Sequence, residues 1–444
     1  MERYESYKDS GVKWIGEIPG HWEVKRLKYV TNIIFLGKTP KYSLEENEYI
    51  IIGQRCNQLD GIKMSDCKYS DEKFYLNRKK YEFLYYGDIL LNSLGGGSVG
   101  RVGYFDLKEN GILTDGHIIV IRSNFEYNNR YLYYFLGTKR KDFELMACGS
   151  TNQMFLLVSD IYKLFVPVPP KSEQTAIANY LDSVTSKIDE AISQQRKMID
   201  LLNERKQIII QNAVTKGLDP NVKMKDSGVE WIGEIPEDWK IDRFKNLFKT
   251  RTGVTFTKKQ IVDYGERVIS YGQIHSKDNY GTMVNSDLIR FIPSKLTRKK
   301  EKSLAYEGDF LFADTSEDLE GCGNNIFIDC KTPIYAGYHT ILAKKNNNEI
   351  GQYLAYLFAS RNWRWQVRSL VNGVKVFSIT QTILKSVYVI LPPIEEQLAI
   401  VHYLNIKVGN IEKIIKSIEK YISLLQERKQ IIINDVVTGK VKVV

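Results

Sequence analysis

Two copies of one framework are written into this chain. KDSGVKWIGEIP, starting at Lys8, returns as KDSGVEWIGEIP starting at Lys225, and LLNERKQIII from Leu201 returns as LLQERKQIII from Leu424. Between these markers the halves diverge until only isolated positions align. A framework that repeats while the material between is free to differ predicts two heads of shared architecture and unlike surfaces, related by an internal pseudo-twofold repeat.

Each half keeps one order: the WIGEIP opener, a stretch of mixed character, a Pro-Pro step, then a long helical pattern. Pro169-Pro170 and Pro392-Pro393 close the apolar runs KLFVPVPP and SVYVILPP, where proline ends strand pairing. Ser172-Glu173-Gln174 and Glu395-Glu396-Gln397 follow, placing carboxylates in a first helical turn, where the helix dipole favours them. Leu181, Ile188, Gln195, Leu202 and Ile209 then fall seven apart, as do Leu404, Ile411, Ile418, Leu425 and Ile432. Val184, Ala191 and Met198, or Ile414 and Tyr421, fill the companion position. This spacing marks a helix–helix seam, and at 1.5 Å per residue each helix would be roughly 60 Å long. Two equally long seams in one chain have each other as nearest partner. Antiparallel pairing is expected, because the chain traverses a whole domain between the helices and parallel pairing would crowd both heads at one end.

The expected architecture is α+β: a first globular α/β head over 1–170, a helix over 171–217, a second head over 218–393, and a helix with a C-terminal tail over 394–444. Within the heads, Tyr49–Ile52, Asp88–Leu91, Ile118–Ile121, Phe310–Phe312 and Ile341–Ala343 suit strands, and Tyr131–Leu136 and Tyr353–Phe358 suit buried helix. YGDILL from Tyr86 matches EGDFLF from Glu307, and YLYYFL matches YLAYLF.

At 444 residues, 43% hydrophobic and 26% charged, the composition is that of a folded protein with several cores. No run approaches about 18 apolar residues and the N-terminus is polar, so a cytoplasmic protein without membrane span or secretory signal is expected. Cys56, Cys67, Cys148, Cys322 and Cys330 form no C-x-x-C pair and do not recur between the halves, which predicts free thiols and no metal framework. The formal net charge of +10 favours a polyanionic partner, because cations on the protein release counterions from nucleic acid.

Motifs for chemistry are missing where they would be expected. Gly37-Lys38-Thr39 lacks the upstream glycine of a phosphate loop, since Asn32 stands there. Gly95, Gly97 and Gly100 fit G-x-G-x-x-G, yet RVGYF follows as a strand where a dinucleotide site needs a helix N-terminus; a turn is the reading. Both Pro-Pro pairs lack the preceding Asn or Asp and following aromatic residue expected for methyl transfer to a base. The five histidines are dispersed; only His117 and His339 sit at matching places, each leading a strand, and a shared structural hydrogen bond accounts for them. Binding features are better represented: Arg78-Lys79-Lys80, Lys139-Arg140-Lys141 and Arg298-Lys299-Lys300 put basic clusters in both heads.

The openers KDSGVKWIGEIPGHW and KDSGVEWIGEIPEDW, the steps PPKSEQ and PPIEEQ, and two helices ending in ERKQIII resemble the specificity subunits of type I restriction-modification systems, over essentially the whole chain. The resemblance implies two target recognition domains that each read one half of a bipartite, asymmetric site in double-stranded DNA. It implies an antiparallel coiled coil that sets the gap and docks two modification subunits, with two restriction subunits where present. S-adenosylmethionine, ATP and magnesium would reside on those partners, and this chain would hold no catalytic residue and no metal. A rod of roughly 60 Å suits a gap of one to two B-DNA turns of about 34–36 Å.

Residues expected to touch DNA, by rough positional correspondence and by side chains able to pair with base edges, are Lys38, Thr39, Gln54, Arg55, Asn57, Asn92, Ser93, Arg101, Thr151, Asn152 and Gln153 in the first head. In the second they are Thr255, Lys258, Gln273, His275, Lys277, Thr315 and Lys375. Two readings from other classes stay open at this point: a nuclease with an unrecognised acidic site, and a basic structural adaptor that binds protein.

Overall fold

The structure, a computed structural model, describes residues 2–443 except 59–60, 96, 110, 150–153, 231, 347 and 374. Two compact units are present: Met1–Gln195 with Lys420–Val444, and Arg196–Glu419. Each contains one head and parts of both long helices, Lys171–Lys216 and Ile394–Val437.

In the first unit the central sheet joins Val102–Tyr104, Ile89–Asn92, Ile118–Ser123 and Thr31–Leu36, all antiparallel. Successive strand residues point to opposite faces, and here both faces are covered. Ile89, Leu91, Ile119 and Ile121 enter a core with the helix Asn129–Gly137 and the long helices, while Leu90, Ile118 and Val120 enter another with Ile52 and Phe105. This is why these strands read as unbroken apolar runs. The second unit repeats the plan: Phe310, Phe312, Ile341 and Ala343 face the helices, and Leu311, Ala313 and Leu342 face the opposite side.

The repeated motifs have a physical role. Each opener is a hairpin, Tyr7–Asp9 on Glu17–Pro19 and Met224–Asp226 on Glu234–Pro236, whose turn begins with an Asp carboxylate accepting from a glycine N–H: Asp9 from Gly11 and Asp226 from Gly228, both 3.0 Å. The hairpin delivers a buried tryptophan to the start of a long helix. The Trp22 indole donates to Glu173 at 3.1 Å and the Trp239 indole to Glu396 at 2.8 Å. The following glutamine clasps the head: Gln174 donates to the Pro169 carbonyl and accepts from Asn128 N–H, both 2.8 Å, and Gln397 donates to the Pro392 carbonyl and accepts from Ile350 N–H, both 2.9 Å.

Helix pairing is antiparallel within each unit. In the first, Ile177, Ala178 and Leu181 share a core with Ile433, Val436 and Val437, and Lys429 meets Asp189 further along at 2.6 Å. In the second, Ile210, Ala213 and Val214 share a core with Ile400 and Leu404, and Lys206 lies 3.6 Å from Glu412. Of the seam residues, Leu181, Ile188, Leu404 and Ile411 are buried, and Leu202, Ile209, Ile418, Leu425 and Ile432 are half-buried. The companion position differs from expectation. Thr185, Ile192 and Val408 are buried and Ile199, Ile415 and Ile422 half-buried four residues after the seam; of the expected companions Val184 and Ala191 are half-buried, whereas Met198, Ile414 and Tyr421 are exposed. Apolar residues stand at both offsets (Ala191 and Ile192, Met198 and Ile199, Ile414 and Ile415), so period alone does not choose between them.

Replacing Gln397 with alanine takes the partner from the half-buried Ile350 N–H and from the buried Pro392 carbonyl. Denaturant unfolding should show a loss of about 2 kcal/mol or more, against under about 0.5 kcal/mol for the exposed neighbour Leu398→Ala.

Candidate nucleic-acid interface

Backbone hydrogen bonds align the loops that sequence does not. In the first head Ser93 N–H donates to the His117 carbonyl, Asp115 to Ile52, Lys38 to Thr114 and Leu156 to Ser93. In the second, Asp314 donates to His339, Gly337 to Ile269, Val254 to Ala336 and Ile379 to Asp314. Thus Thr39 matches Thr255, Gln54 matches Tyr271, Ser93 matches Asp314 and His117 matches His339. At this end of each central sheet four connections converge on one surface, and their side chains differ between the heads.

Close backbone approach builds that end. A Cβ on Gly253 would lie 1.8 Å from the Gly337 carbonyl oxygen, and one on the matching Gly37 would lie 2.2 Å from that of Asp115. Glycine is the residue that permits such contact.

The expected contact residues fall into distinct places. Thr39, Gln54 and Ser93 lie at the convergent end of the first head. Thr39 accepts from Gly116 N–H at 3.3 Å, and the Gln54 amide is taken up by the Leu94 carbonyl at 2.8 Å and the Ser98 hydroxyl at 3.3 Å. Arg55 is exposed beside them. Lys38 is exposed and paired with Glu82 at 2.7 Å. Asn57 and Asn92 depart from expectation: both are fully buried and bonded to each other at 2.8 Å. Arg101 is spent on the Asn57 carbonyl at 3.1 Å and Gln58 at 2.9 Å. These three side chains hold the strands together inside the head. Thr151, Asn152 and Gln153 lie outside the described residues.

In the second head, Thr315 and His275 line a cleft of about 850 Å³ at the convergent end with Tyr271, Asn324, His339 and Arg364. Both ring nitrogens of His275 are engaged, one by the Thr315 carbonyl at 2.8 Å and one by Asn324 at 3.2 Å, so this histidine is a wall of the cleft. Gln273 caps a helical turn by accepting from Ser270 N–H at 3.1 Å. Thr255, Lys258, Lys277 and Lys375 are exposed, and Lys375 adjoins the cleft residue Val376.

Burial tunes several groups here. It raises the Asp115 carboxyl, although His117 N–H at 2.9 Å opposes the shift, and pushes Tyr42, which donates to Asp115 at 3.3 Å, up to about 12. Burial, with Arg368 nearby, pulls the Arg364 guanidinium down to about 10. Sequence reasoning missed Tyr271 and Asp314, whose place follows from backbone pairing, and Arg364, which the helix Arg361–Leu370 brings to Asn324 at 2.8 Å. His117 and His339 do share a backbone bond, but their rings differ: only His339 places Nδ1 beside a carboxylate, that of Asp314 at 3.2 Å.

The family described as "Type I restriction modification DNA specificity domain" matches residues 19–198 and 236–422, one match on each copy of the repeat. The chain belongs to this family. Its relatives include the MjaX type I restriction enzyme specificity subunit of Methanocaldococcus jannaschii, 27% identical over 445 residues and 98% of both chains. The MjaVIII specificity subunit of the same organism is 25% identical over 450 residues, 98% of this chain and 97% of that one. A solved structure titled for complex assembly and conformational transition of the type I R-M system shares the fold, with a TM-score of 0.67 at 14% identity over 96% of this chain and 99% of that chain. For a DNA specificity subunit, a common scaffold carrying two unlike loop sets is the expected construction.

Gly253→Ala should destabilise the second head by about 1–3 kcal/mol, because a backbone carbonyl occupies the new methyl's place. Gly272→Ala, where nothing lies within 4 Å, should leave thermal unfolding unchanged.

Proposed function

We propose that this chain reads a bipartite, asymmetric site in double-stranded DNA, with residues 1–170 and 218–393 as the two target recognition heads. The matched backbone bonds at the convergent end of each head carry this reading: one scaffold presents two different side-chain sets, as two unlike half-sites require. The net charge of +10 supplies the sequence-independent attraction to phosphate. Methyl transfer and cleavage belong to partner subunits, which bind S-adenosylmethionine, ATP and magnesium, and the complex works in the cytoplasm. The helices set the gap between the half-sites.

Each long helix also keeps an exposed apolar row beside its seam, Met198, Leu201 and Ile208 on one and Tyr421, Leu424 and Ile431 on the other. The rows occupy matching positions of the repeat, so they offer one surface twice. Two copies of the modification subunit fit this arrangement.

Methylation sequencing of DNA exposed to the chain with its modification subunits should return two words separated by a fixed gap. Inserting a heptad in both helices should change the gap and keep the words; altered words would contradict the assignment. DNA cleavage by the purified chain with magnesium alone would overturn it in favour of a nuclease. Leu201→Glu with Ile208→Glu should remove one of two modification subunits in a mass measurement of the complex, and unchanged mass would remove the row from the docking surface.

A further inference from the structure

His339 is held in a conformation that the fold does not demand. Its φ is +53°, and among the described residues it shares a positive φ outside glycine only with Lys299. The left-handed region is costly for a residue with a Cβ, and such strain concentrates where a side chain must be aimed. The matching residue of the first head, His117, makes the same backbone bond without that conformation. The strain therefore serves the side chain of this head.

That side chain is presented and oriented. The imidazole is 59% exposed at the edge of the 850 Å³ cleft and makes T-shaped contacts with Tyr271 and Tyr338 at centroid distances of 5.5 and 6.0 Å. Nδ1 lies 3.2 Å from Asp314 Oδ1, and Thr315 donates its hydroxyl to the same oxygen at 2.7 Å. A carboxylate only accepts, so Nδ1 carries the proton and, in the neutral ring, Nε2 is an acceptor. Among the described residues Nε2 has no partner within the chain. The cleft beside it carries both signs: Glu317, Asp318 and Glu320 line it with Arg364 and Arg368, and Arg368 engages Glu320 at 2.9 Å. The carboxylates among them suit a ligand edge that offers hydrogen-bond donors.

We propose that His339, positioned by Asp314, reads one base of the half-site recognised by the second head, its Nε2 accepting from the exocyclic amine of adenine or cytosine in the major groove. These are the bases that present an amine donor there. The inference rests on the reading of the heads as DNA-reading domains.

The test uses the full chain in complex with its modification subunits, methylation sequencing, and duplexes carrying each base in turn along the second half-site. Wild type should require adenine or cytosine at one position. His339→Ala and His339→Asn should lower binding to the cognate duplex at least tenfold and level the four bases at that position, leaving the other half-site unchanged. Asparagine tolerates the left-handed backbone, so the pair separates loss of the imidazole from strain. Asp314→Asn should weaken discrimination at the same position without changing the melting temperature, which a merely structural role would move. Folded His339 variants with both words intact would overturn the inference and leave the DNA reading standing, as would a requirement for guanine or thymine at the affected position. A wild-type complex that binds no DNA would overturn both.

Discussion

The pairing of each buried tryptophan with a helix-start glutamate, and of the next glutamine with the head, is the joint on which this molecule depends. Trp22 with Glu173 and Trp239 with Glu396 tie an opener to a long helix. Gln174 and Gln397, each almost wholly excluded from solvent, satisfy one backbone donor and one acceptor of the adjoining head. Buried amides of this kind cannot be traded without leaving polar groups unpaired. That explains why the tryptophan that follows each opener and the EQ step return while the material between them drifts.

Because the joint is fixed, the far end of each head is free to change. Stability comes from strands covered on both faces. Matching positions accordingly hold Ser93 in one head and Asp314 in the other on the same backbone hydrogen bonds, and Gln54 and Tyr271 each two residues beyond a matched strand residue. Function sits in the side chains grafted onto a shared scaffold.

Much of the fold was legible in the chain. The repeat, the strand and helix cores and the helix starts after Pro170 and Pro393 are written in apolar period and proline placement, which are local signals. The side of the helix seam was not, because Ala191 and Ile192, or Ile414 and Ile415, offer apolar residues at both offsets. The candidate site was less legible still. An amide such as Asn57 looks able to pair with a base until the fold shows it bonded to Asn92 in the interior, and Gln54 is drawn to the Leu94 carbonyl. Conversely Asp314 and His339 are far apart in sequence, and only strand pairing makes them neighbours.

The central claim is that one scaffold carries two independent readers. Exchanging residues 218–393 for the corresponding segment of another family member, followed by methylation sequencing with the same modification subunits, tests it most directly. The account predicts that one half-site word is replaced while the other word and the gap persist. Replacement of both words, or of the word belonging to the untouched head, would contradict it.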